Sequence, residues 1–168
     1  MDEKIQKITP NLWFDRNAEE AVKFYTSIFK DSMIGRVSHY GKEGFEIHGM
    51  PEGTVMTIVF RIEGQEFLAL NAGPTFKFNE AISFIINCKG QKEVDYYWNN
   101  LTKGGDEKAQ ICGWLKDKFG VSWQVVPIVL SELMMDKDPK KAGRVMKAFL
   151  QMKKIDIETL MRAYMGNN

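Results

Sequence analysis

The sequence predicts an α+β protein made of two successive β-α-β-β-β modules followed by helices. Two pairs of β-rich runs, in residues 54–70 and 112–127, each flank a short polar turn and are typical of β-hairpins. The aromatic helical segments 21–25 and 93–97 match at a constant offset of 72 residues, which indicates an internal duplication. Together these observations predict two copies of one supersecondary unit.

The first module is predicted to cover residues 4–71. Asn17 is placed to cap a helix, because acidic residues follow in the first turn and apolar residues then recur at helical spacing. Glu63-Gly64 separates the last two strands and is a hairpin signature, and Pro10 suits an edge or the start of a strand. The predicted strands are Lys4–Phe14, Met33–Tyr40, Thr54–Ile62 and Gln65–Leu70.

The second module is predicted to cover residues 79–127. Its hairpin turn, Asp-Lys-Phe-Gly, allows a positive φ at Gly120. On the last strand, period-two alternation places Ser122 and Gln124 on one face and Trp123 on the other. The predicted elements are a strand at Ala81–Cys88, a helix at Gln91–Leu101 and strands at Gln110–Leu115 and Val121–Val126. We expect the two modules to share one curved sheet within a single domain, residues 1–168.

The remaining segment, residues 128–168, is predicted to be helical. Asp138, followed by Pro139, is placed to cap one helix, and Asp156 another. Six of the ten methionines lie in this extension, near several lysines. A methionine-rich stripe can bind a partner or a membrane, but it is more often the face by which a helix packs on its own domain or across a dimer. The predicted apolar stripe of the first helix is Ala142, Val145, Met146, Phe149 and Leu150.

Composition and charge exclude several functional classes. The chain has 168 residues, 44% of them hydrophobic and 27% charged, as expected of an ordinary globular protein. With 23 basic and 22 acidic residues the net charge is +1, so no overall field favours nucleic acid or an anionic membrane. The N-terminus has no apolar signal region and no apolar run approaches the roughly 20 residues that span a bilayer. A cytoplasmic location is predicted.

Cysteine and histidine are scarce. Cys88 and Cys112 lie far apart and outside any C-x-x-C pattern, which argues against a zinc knuckle or a disulfide framework. His39 and His48 are the only histidines, so one chain cannot supply a three-histidine metal site. No phosphate-binding glycine loop and no nucleophile elbow occurs.

Three segments resemble a known family. The strand ending D-x-x-G-x-x-W-Q, within CGWLKDKFGVSWQVVP, resembles the last hairpin of the vicinal-oxygen-chelate (glyoxalase/bleomycin-resistance/dioxygenase) superfamily. The sequence of this segment is similar to that of the PhnB-like branch. ITPNLWFDRNAEEAVKFY and LNAGPTFKFNEAISF are similar to the same branch. Members are often labelled 3-demethylubiquinone 3-methyltransferase. The resemblance implies a glyoxalase/bleomycin-resistance fold, and this fold hosts many activities.

The resemblance implies that the two modules build a cup whose floor often holds a divalent metal. The four implied ligand positions fall at neutral residues here, apart from Glu80, whereas relatives that use a metal carry His and Glu. Neutral amides and a proline do not compensate the charge of such an ion, so we expect a cup without a tight metal and keep Glu80 as a weak candidate. The implied positions are Thr9 or Pro10, Leu70 or Asn71, Asn79 or Glu80, and Gln124.

Aromatic rings and amides are the candidate ligand contacts. Strand alternation brings part of each central strand to a concave face, where rings suit a flat apolar molecule and an amide can orient a polar group. Lys77 is expected to be solvated, and Asp117 to form a turn rather than act as an acid or base. The candidate residues are Trp13, Asn71, Phe78, Asn79, Trp114, Trp123 and Gln124.

The sequence therefore favours a metal-free protein that binds a small, partly aromatic or hydrophobic molecule, as a homodimer. One alternative is a metal-dependent lyase, isomerase or dioxygenase that uses Glu80 and possibly Gln124. Another is a dimeric interaction protein that works through the methionine-rich helices. A true methyltransferase is not expected, because no glycine-rich turn after the first strand offers a site for S-adenosylmethionine.

Overall fold

A computed structural model describes residues 5–167, so Lys4, the predicted start of the first module, and Asn168 lie outside the described residues. The chain divides after Lys77 into two compact units, called unit 1 and unit 2 here. The described strands form two separate sheets, one of four strands and one of three, in place of the one curved sheet expected from the sequence.

The helices and strands follow the predicted order closely. Unit 1 contains β1 (Asn11–Phe14), α1 (Ala18–Ile28), β2 (Met33–His39), α2 (Phe45–His48), β3 (Val55–Ile62) and β4 (Gln65–Asn71). Unit 2 contains β5 (Phe84–Cys88), α3 (Gln91–Leu101), a 3₁₀ turn (Glu107–Ala109), β6 (Trp114–Lys116), β7 (Ser122–Pro127), α4 (Ile128–Met134), α5 (Pro139–Phe149) and α6 (Ile157–Met165).

Unit 1 is the predicted β-α-β-β-β module, with strand order β1-β4-β3-β2. β1 is parallel to β4 and the other neighbours are antiparallel. Helix α1 contacts β3 and β4 through its apolar side. The rings of Tyr25 and Phe60 stack with centroids 6.3 Å apart, and Phe67 lies 5.4 Å from Phe60. This aromatic core occupies one face of the sheet and leaves the other face free of helix α1.

The turns of unit 1 confirm the predicted hairpin and shorten the first strand. Glu63 and Gly64 have φ values of 46° and 73°, the left-handed pair that a two-residue hairpin turn requires. The strand predicted from residue 4 begins only at Asn11. Upstream, the Gln6 side chain donates to Glu66 O and accepts from Glu66 N, so a side chain takes the place of a backbone ladder.

Unit 2 has the order β5-β7-β6 and lacks the fourth strand that the duplication predicts, within the described residues. Twelve residues, 102–113, connect α3 to β6, whereas 29–54 connect α1 to β3 in unit 1. A Cβ at Gly105 would lie 2.2 Å from Lys116 O, so glycine is needed where this connection meets the edge of β6. The shorter connection leaves too little chain for another strand.

Two strands of unit 2 start later than predicted. Cys112 and Gly113 have φ values of 51° and 79° and form a tight turn closed by hydrogen bonds between Ile111 and Trp114. β6 therefore begins at Trp114 instead of Gln110. β5 begins at Phe84 instead of Ala81. The predicted turn at Gly120 is confirmed, with φ 88° and a hydrogen bond from Gly120 N to Asp117 O.

The C-terminal helices belong to the core of unit 2. Asp138 and Asp156 cap α5 and α6 through their carboxylates, as predicted. Cys112 N and Gly113 N donate to Met152 O and Lys153 O, which fastens the extension to the start of β6. The predicted stripe of α5 is buried only in part, because Met146 and Leu150 are exposed. A cluster of buried side chains joins the three helices: Leu130, Leu133, Val145, Ile155 and Leu160.

The longest helices among the described residues, α1, α3 and α5, have eleven residues each. A bilayer span needs about 20 residues. No described helix combines the length and apolarity that a membrane crossing requires.

Candidate functional site

The three-stranded sheet of unit 2 has one face packed against helix α3 and one face turned away from it. Leu115, Trp123 and Val125 are buried on the side where α3 contributes its own buried residues. Because strand side chains alternate, the intervening residues of β6 and β7 lie on the opposite face. We call this second surface the Gln124 face. Its residues are Ser83, Ile85, Trp114, Lys116, Ser122 and Gln124, and at the end of β7 Val126 of the same face packs against the C-terminal helices.

Gln124 lies at the centre of this face. On β7 it pairs with Ile85 of β5 on one side and with Trp114 of β6 on the other, and directly paired residues share a face. Its Nε2 donates to Ser83 Oγ at 2.8 Å. This is the side chain's single hydrogen bond to residues 5–167, so Oε1 is left as an acceptor. Ile85 is 56% exposed, so the row can be reached from solvent.

A second, polar row lies next to the first. Ser122 of β7 pairs with Lys116 of β6. Ser122 is 2% exposed, and its Oγ has no hydrogen-bond partner in the part of the chain that the structure describes. Lys116 Nζ forms an ion pair with Glu80, and this partner together with the Glu80 backbone holds the pKa of the Glu80 carboxyl below its usual value. An apolar row with one amide thus adjoins a row with a cation and an unsatisfied hydroxyl.

Trp123, predicted as a ligand contact, lies on the helix-facing side and is 3% exposed. Its Nε1 donates to Asp117 Oδ2 at 2.8 Å, while Asp117 Oδ1 accepts from Phe119 N and Val121 N. The buried carboxylate therefore fixes the hairpin turn and the indole together. These bonds explain the D-x-x-G-x-x-W spacing and agree with the predicted role of Asp117 in the turn.

Trp13 lies on the face of the unit 1 sheet that α1 does not cover. Its Nε1 donates to Gly73 O at 2.8 Å, and its ring meets Phe76 edge-on at 4.9 Å. The strand register places Trp13, Leu70 and Thr57 side by side in one row. Trp13 is half-buried, and a ligand role for it stays a prediction.

Asn71 lies on the other side of that sheet and is 1% exposed. Its Oδ1 accepts from Ala18 N at 2.9 Å, and its Nδ2 donates to Glu19 Oε2 and to Val55 O. The amide thus caps helix α1, whose predicted N-cap residue, Asn17, makes no capping hydrogen bond with its side chain. The observed contacts of Asn71 are structural, and a ligand role for it stays a prediction.

The segment before β5 carries the other three candidates. Phe78 lies against the hairpin turn, since a Cβ at Gly120 would be 3.9 Å from the Phe78 side chain. Asn79 is exposed, and its Oδ1 accepts from Ala81 N. Glu80 is paired with Lys116. Of these three, Glu80 contacts the Gln124 face directly.

The residues present do not fit a tightly held divalent metal. No group of three or more His, Cys, Asp or Glu side chains lies close enough together for this purpose among residues 5–167. Both ring nitrogens of His48 are hydrogen-bonded, to Met50 N and Glu43 O. Glu80 already has a cation as its partner. Burial raises the pKa of the Cys88 thiol to about 12, which disfavours the thiolate that a metal needs.

The sequence pointed to Gln124 and Trp114, but it did not single out Ser83, Lys116 or the unsatisfied hydroxyl of Ser122. Alternation along the last strand already places Ser122 beside Gln124. The pairing of Lys116 with Glu80 joins residues 36 positions apart and depends on how the segment before β5 folds back. No local pattern in the sequence predicts this contact.

Comparison with known proteins gives matches over most of the chain. A family model described as 3-demethylubiquinone-9 3-methyltransferase matches residues 6–126. Among solved structures, a PhnB protein from Bacillus cereus is 36% identical, with 73% of this chain and 99% of that chain covered and a TM-score of 0.63. A protein from Staphylococcus aureus is 33% identical, with 73% and 97% covered and a TM-score of 0.33. The protein PA1353 from Pseudomonas aeruginosa is 20% identical, with 73% and 98% covered and a TM-score of 0.54.

No curated protein matches the chain. The family model ends at residue 126, so helices α4, α5 and α6 lie outside it. The matched region contains every strand residue of the Gln124 face.

Proposed function

We propose that this chain binds a small, partly apolar molecule on the Gln124 face without a tight metal. The chain belongs to the 3-demethylubiquinone-9 3-methyltransferase family and to the PhnB-like branch of the vicinal-oxygen-chelate superfamily. The family matches confirm the predicted resemblance and the glyoxalase/bleomycin-resistance fold. The residues of unit 2 support this location of the site.

The observation that carries the proposal is the environment of the Gln124 amide. Its Oε1 stays free to accept, while the register places an indole on one side and an exposed aliphatic side chain on the other. A flat apolar body can lie against Trp114 and Ile85 while a donor group reaches Gln124 Oε1. A small number of oriented polar groups within an apolar surface is characteristic of small-molecule sites.

The family description does not extend to a methyltransferase activity in this proposal. The connection from β1 to α1, residues 15–17, contains no glycine, and only Lys89 and Gly90 join β5 to α3. Neither provides the glycine-rich turn that commonly holds S-adenosylmethionine after a first strand. We propose binding or sequestration in place of methyl transfer. The metal-dependent enzyme, the homodimer, the interaction protein and the cytoplasmic location stay predictions.

Binding of 4-phenylbutyramide tests the proposal, because this probe combines an aromatic body with an amide donor. We expect Trp114→Ala to weaken binding about tenfold or more, and Gln124→Ala by roughly three- to tenfold, the effect of one lost hydrogen bond. Titration by isothermal calorimetry measures both. Gln151→Ala, at an exposed amide of the same unit, is the matched control and should leave the affinity unchanged.

Trp13→Leu separates the two units. If this variant loses the probe while Trp114→Ala and Gln124→Ala bind normally, the site belongs to unit 1 and the proposal is wrong. Failure of the wild-type protein to bind the probe at millimolar concentration would also contradict it.

A further inference from the structure

We infer that the Gln124 face selects ligands that carry a carboxylate or another small oxyanion, which takes the place of Glu80 at Lys116. This inference rests on the proposed function, because it names the class of ligand for the same face. It is carried by a second set of observations, on the polar row of Ser122 and Lys116.

The buried hydroxyl of Ser122 is the first of these observations. A hydroxyl removed from water without a hydrogen-bond partner destabilises the fold, and such groups are rare in folded proteins. Ser122 Oγ has no partner in residues 5–167, and alternation places it on the same face as Gln124. An acceptor oxygen of a ligand that enters beside Lys116 in place of Glu80 would supply the missing hydrogen bond.

The unequal exposure of the ion pair is the second observation. The Lys116 side chain is 22% exposed, whereas that of Glu80 is 60% exposed. Lys116 is held on β6 opposite Ser122, but Glu80 lies outside any strand, in the connection that precedes β5. Exposed ion pairs contribute little to stability, so Glu80 can move away at low cost. The Glu80 carboxylate therefore stands in for the oxyanion of a ligand.

The spacing of the two rows limits the size of the ligand. Ser122 and Gln124 are two positions apart on β7, as are Trp114 and Lys116 on β6, which corresponds to about 7 Å along each strand. A molecule with an aromatic ring beside Trp114 and a carboxylate three or four carbons away can reach Lys116 and Ser122 together. Arylalkyl carboxylates of this length are the class that the face fits.

A matched pair of probes tests the selectivity: 4-phenylbutyrate and its neutral amide, titrated by calorimetry at pH 7. We expect the wild-type protein to bind the carboxylate about fivefold or more tightly than the amide. Lys116→Met should abolish this difference. Glu80→Gln should raise the carboxylate affinity about three- to tenfold, because the competing anion is removed, and Ser122→Ala should lower it about threefold.

Controls and a folding measurement keep these outcomes separable. Lys92→Met and Glu107→Gln remove the same charges from exposed positions of unit 2 and should change neither affinity. A thermal melt of each variant shows that it is folded, and Glu80→Gln, at an exposed position, gives a test of the inference if Lys116→Met does not fold.

Equal affinities for the two probes in the wild-type protein, or no gain of carboxylate affinity in Glu80→Gln, would overturn the inference. If the amide still binds and Gln124→Ala still weakens it, the proposed function stands without the anion selectivity. If neither probe binds, both are overturned.

Discussion

Units 1 and 2 each pack an equivalent helix, α1 or α3, on one face of their sheet in the same way. The two units differ in the residues of the opposite face. At an offset of 72 residues, Val22 corresponds to Val94 and Tyr25 to Tyr97, and all four are buried in their own units. Each tyrosine also meets the preceding aromatic ring edge-on, at 5.6 Å in α1 and 5.2 Å in α3. The repeated pattern thus specifies the helix-facing core, which is where duplication is most visible.

The amides near the ends of the last strands differ in the face that they occupy. Asn71 follows Phe67 and Ala69 on the helix-facing side of β4, whereas Gln124 lies between the helix-facing Trp123 and Val125 on β7. A shift of one residue along a strand reverses the face. One amide therefore caps a helix, and the other makes one hydrogen bond, to Ser83.

The largest loss of stability is expected from replacing Asn71, the amide that caps helix α1. Asn71→Ala removes three side-chain hydrogen bonds, one buried and two partly buried, and leaves Ala18 N without its acceptor. We expect the opening free energy of unit 1 to fall by about 3 kcal/mol. Hydrogen exchange of the α1 and β4 amides measures it.

Asn17→Ala, at an exposed asparagine of unit 1 whose side chain makes no capping hydrogen bond, is the control and should cost less than about 0.5 kcal/mol. Gln124→Ala provides the comparison between the units, and it should lower the opening free energy of unit 2 by less than about 1.5 kcal/mol. A larger loss from Gln124→Ala than from Asn71→Ala would contradict the division of roles.

Local sequence signals predicted much of the fold. The helix predicted at Gln91–Leu101, which matches the first helix at an offset of 72 residues, is confirmed as α3, and Gly64 and Gly120 marked two turns correctly. The later start of β6 follows from the turn at Cys112, a non-glycine residue with positive φ that local propensity does not favour. The missing fourth strand reflects the length of a connection rather than any residue pattern.

The candidate site was predictable only in part. Alternation and aromatic content indicated Trp114 and Gln124, because both are properties of single strands. The state of Ser122 depends on what lies near its hydroxyl, and the partner of Lys116 comes from a separate segment. Tertiary contacts of this kind leave no periodic signal in the sequence.

The second prediction concerns the hairpin that holds the Gln124 face in place. Asp117→Asn should destabilise unit 2 by about 2 kcal/mol, because an amide NH₂ would oppose the Trp123 Nε1–H that the carboxylate now accepts. Chemical denaturation followed by tryptophan fluorescence measures the change. Trp123→Phe removes the opposing donor, so the loss from Asp117→Asn should shrink in a Trp123→Phe background. Additive effects of the two changes would show that the proposed contact contributes nothing.

The smallest loss of stability is expected at acid pH, in unit 2. Glu80, Asp95, Asp136 and Asp156 have pKa values lowered by their partners, chiefly hydrogen bonds from Lys116, Lys154, Tyr164 and Thr159 respectively. A carboxyl group whose pKa is lowered by folding stabilises the fold above its ordinary pKa, and this contribution is lost as the pH falls through the lowered value. Unit 2 should therefore lose stability progressively below about pH 4.5.

Hydrogen exchange between pH 6 and pH 2.5, corrected for the intrinsic exchange rate, measures this loss in the peptides of unit 2. The double variant Asp95→Asn/Asp156→Asn keeps a capping side chain at the start of α6 and removes two of the four titrating groups. Its opening free energy should depend less on pH than that of the wild-type protein, most clearly in α3, which contains Asp95, and in α6, which Asp156 caps. An unchanged slope in those helices would mean that the ion pair of Asp95 with Lys154 and the cap at Asp156 are too weakly formed in solution to couple folding to pH.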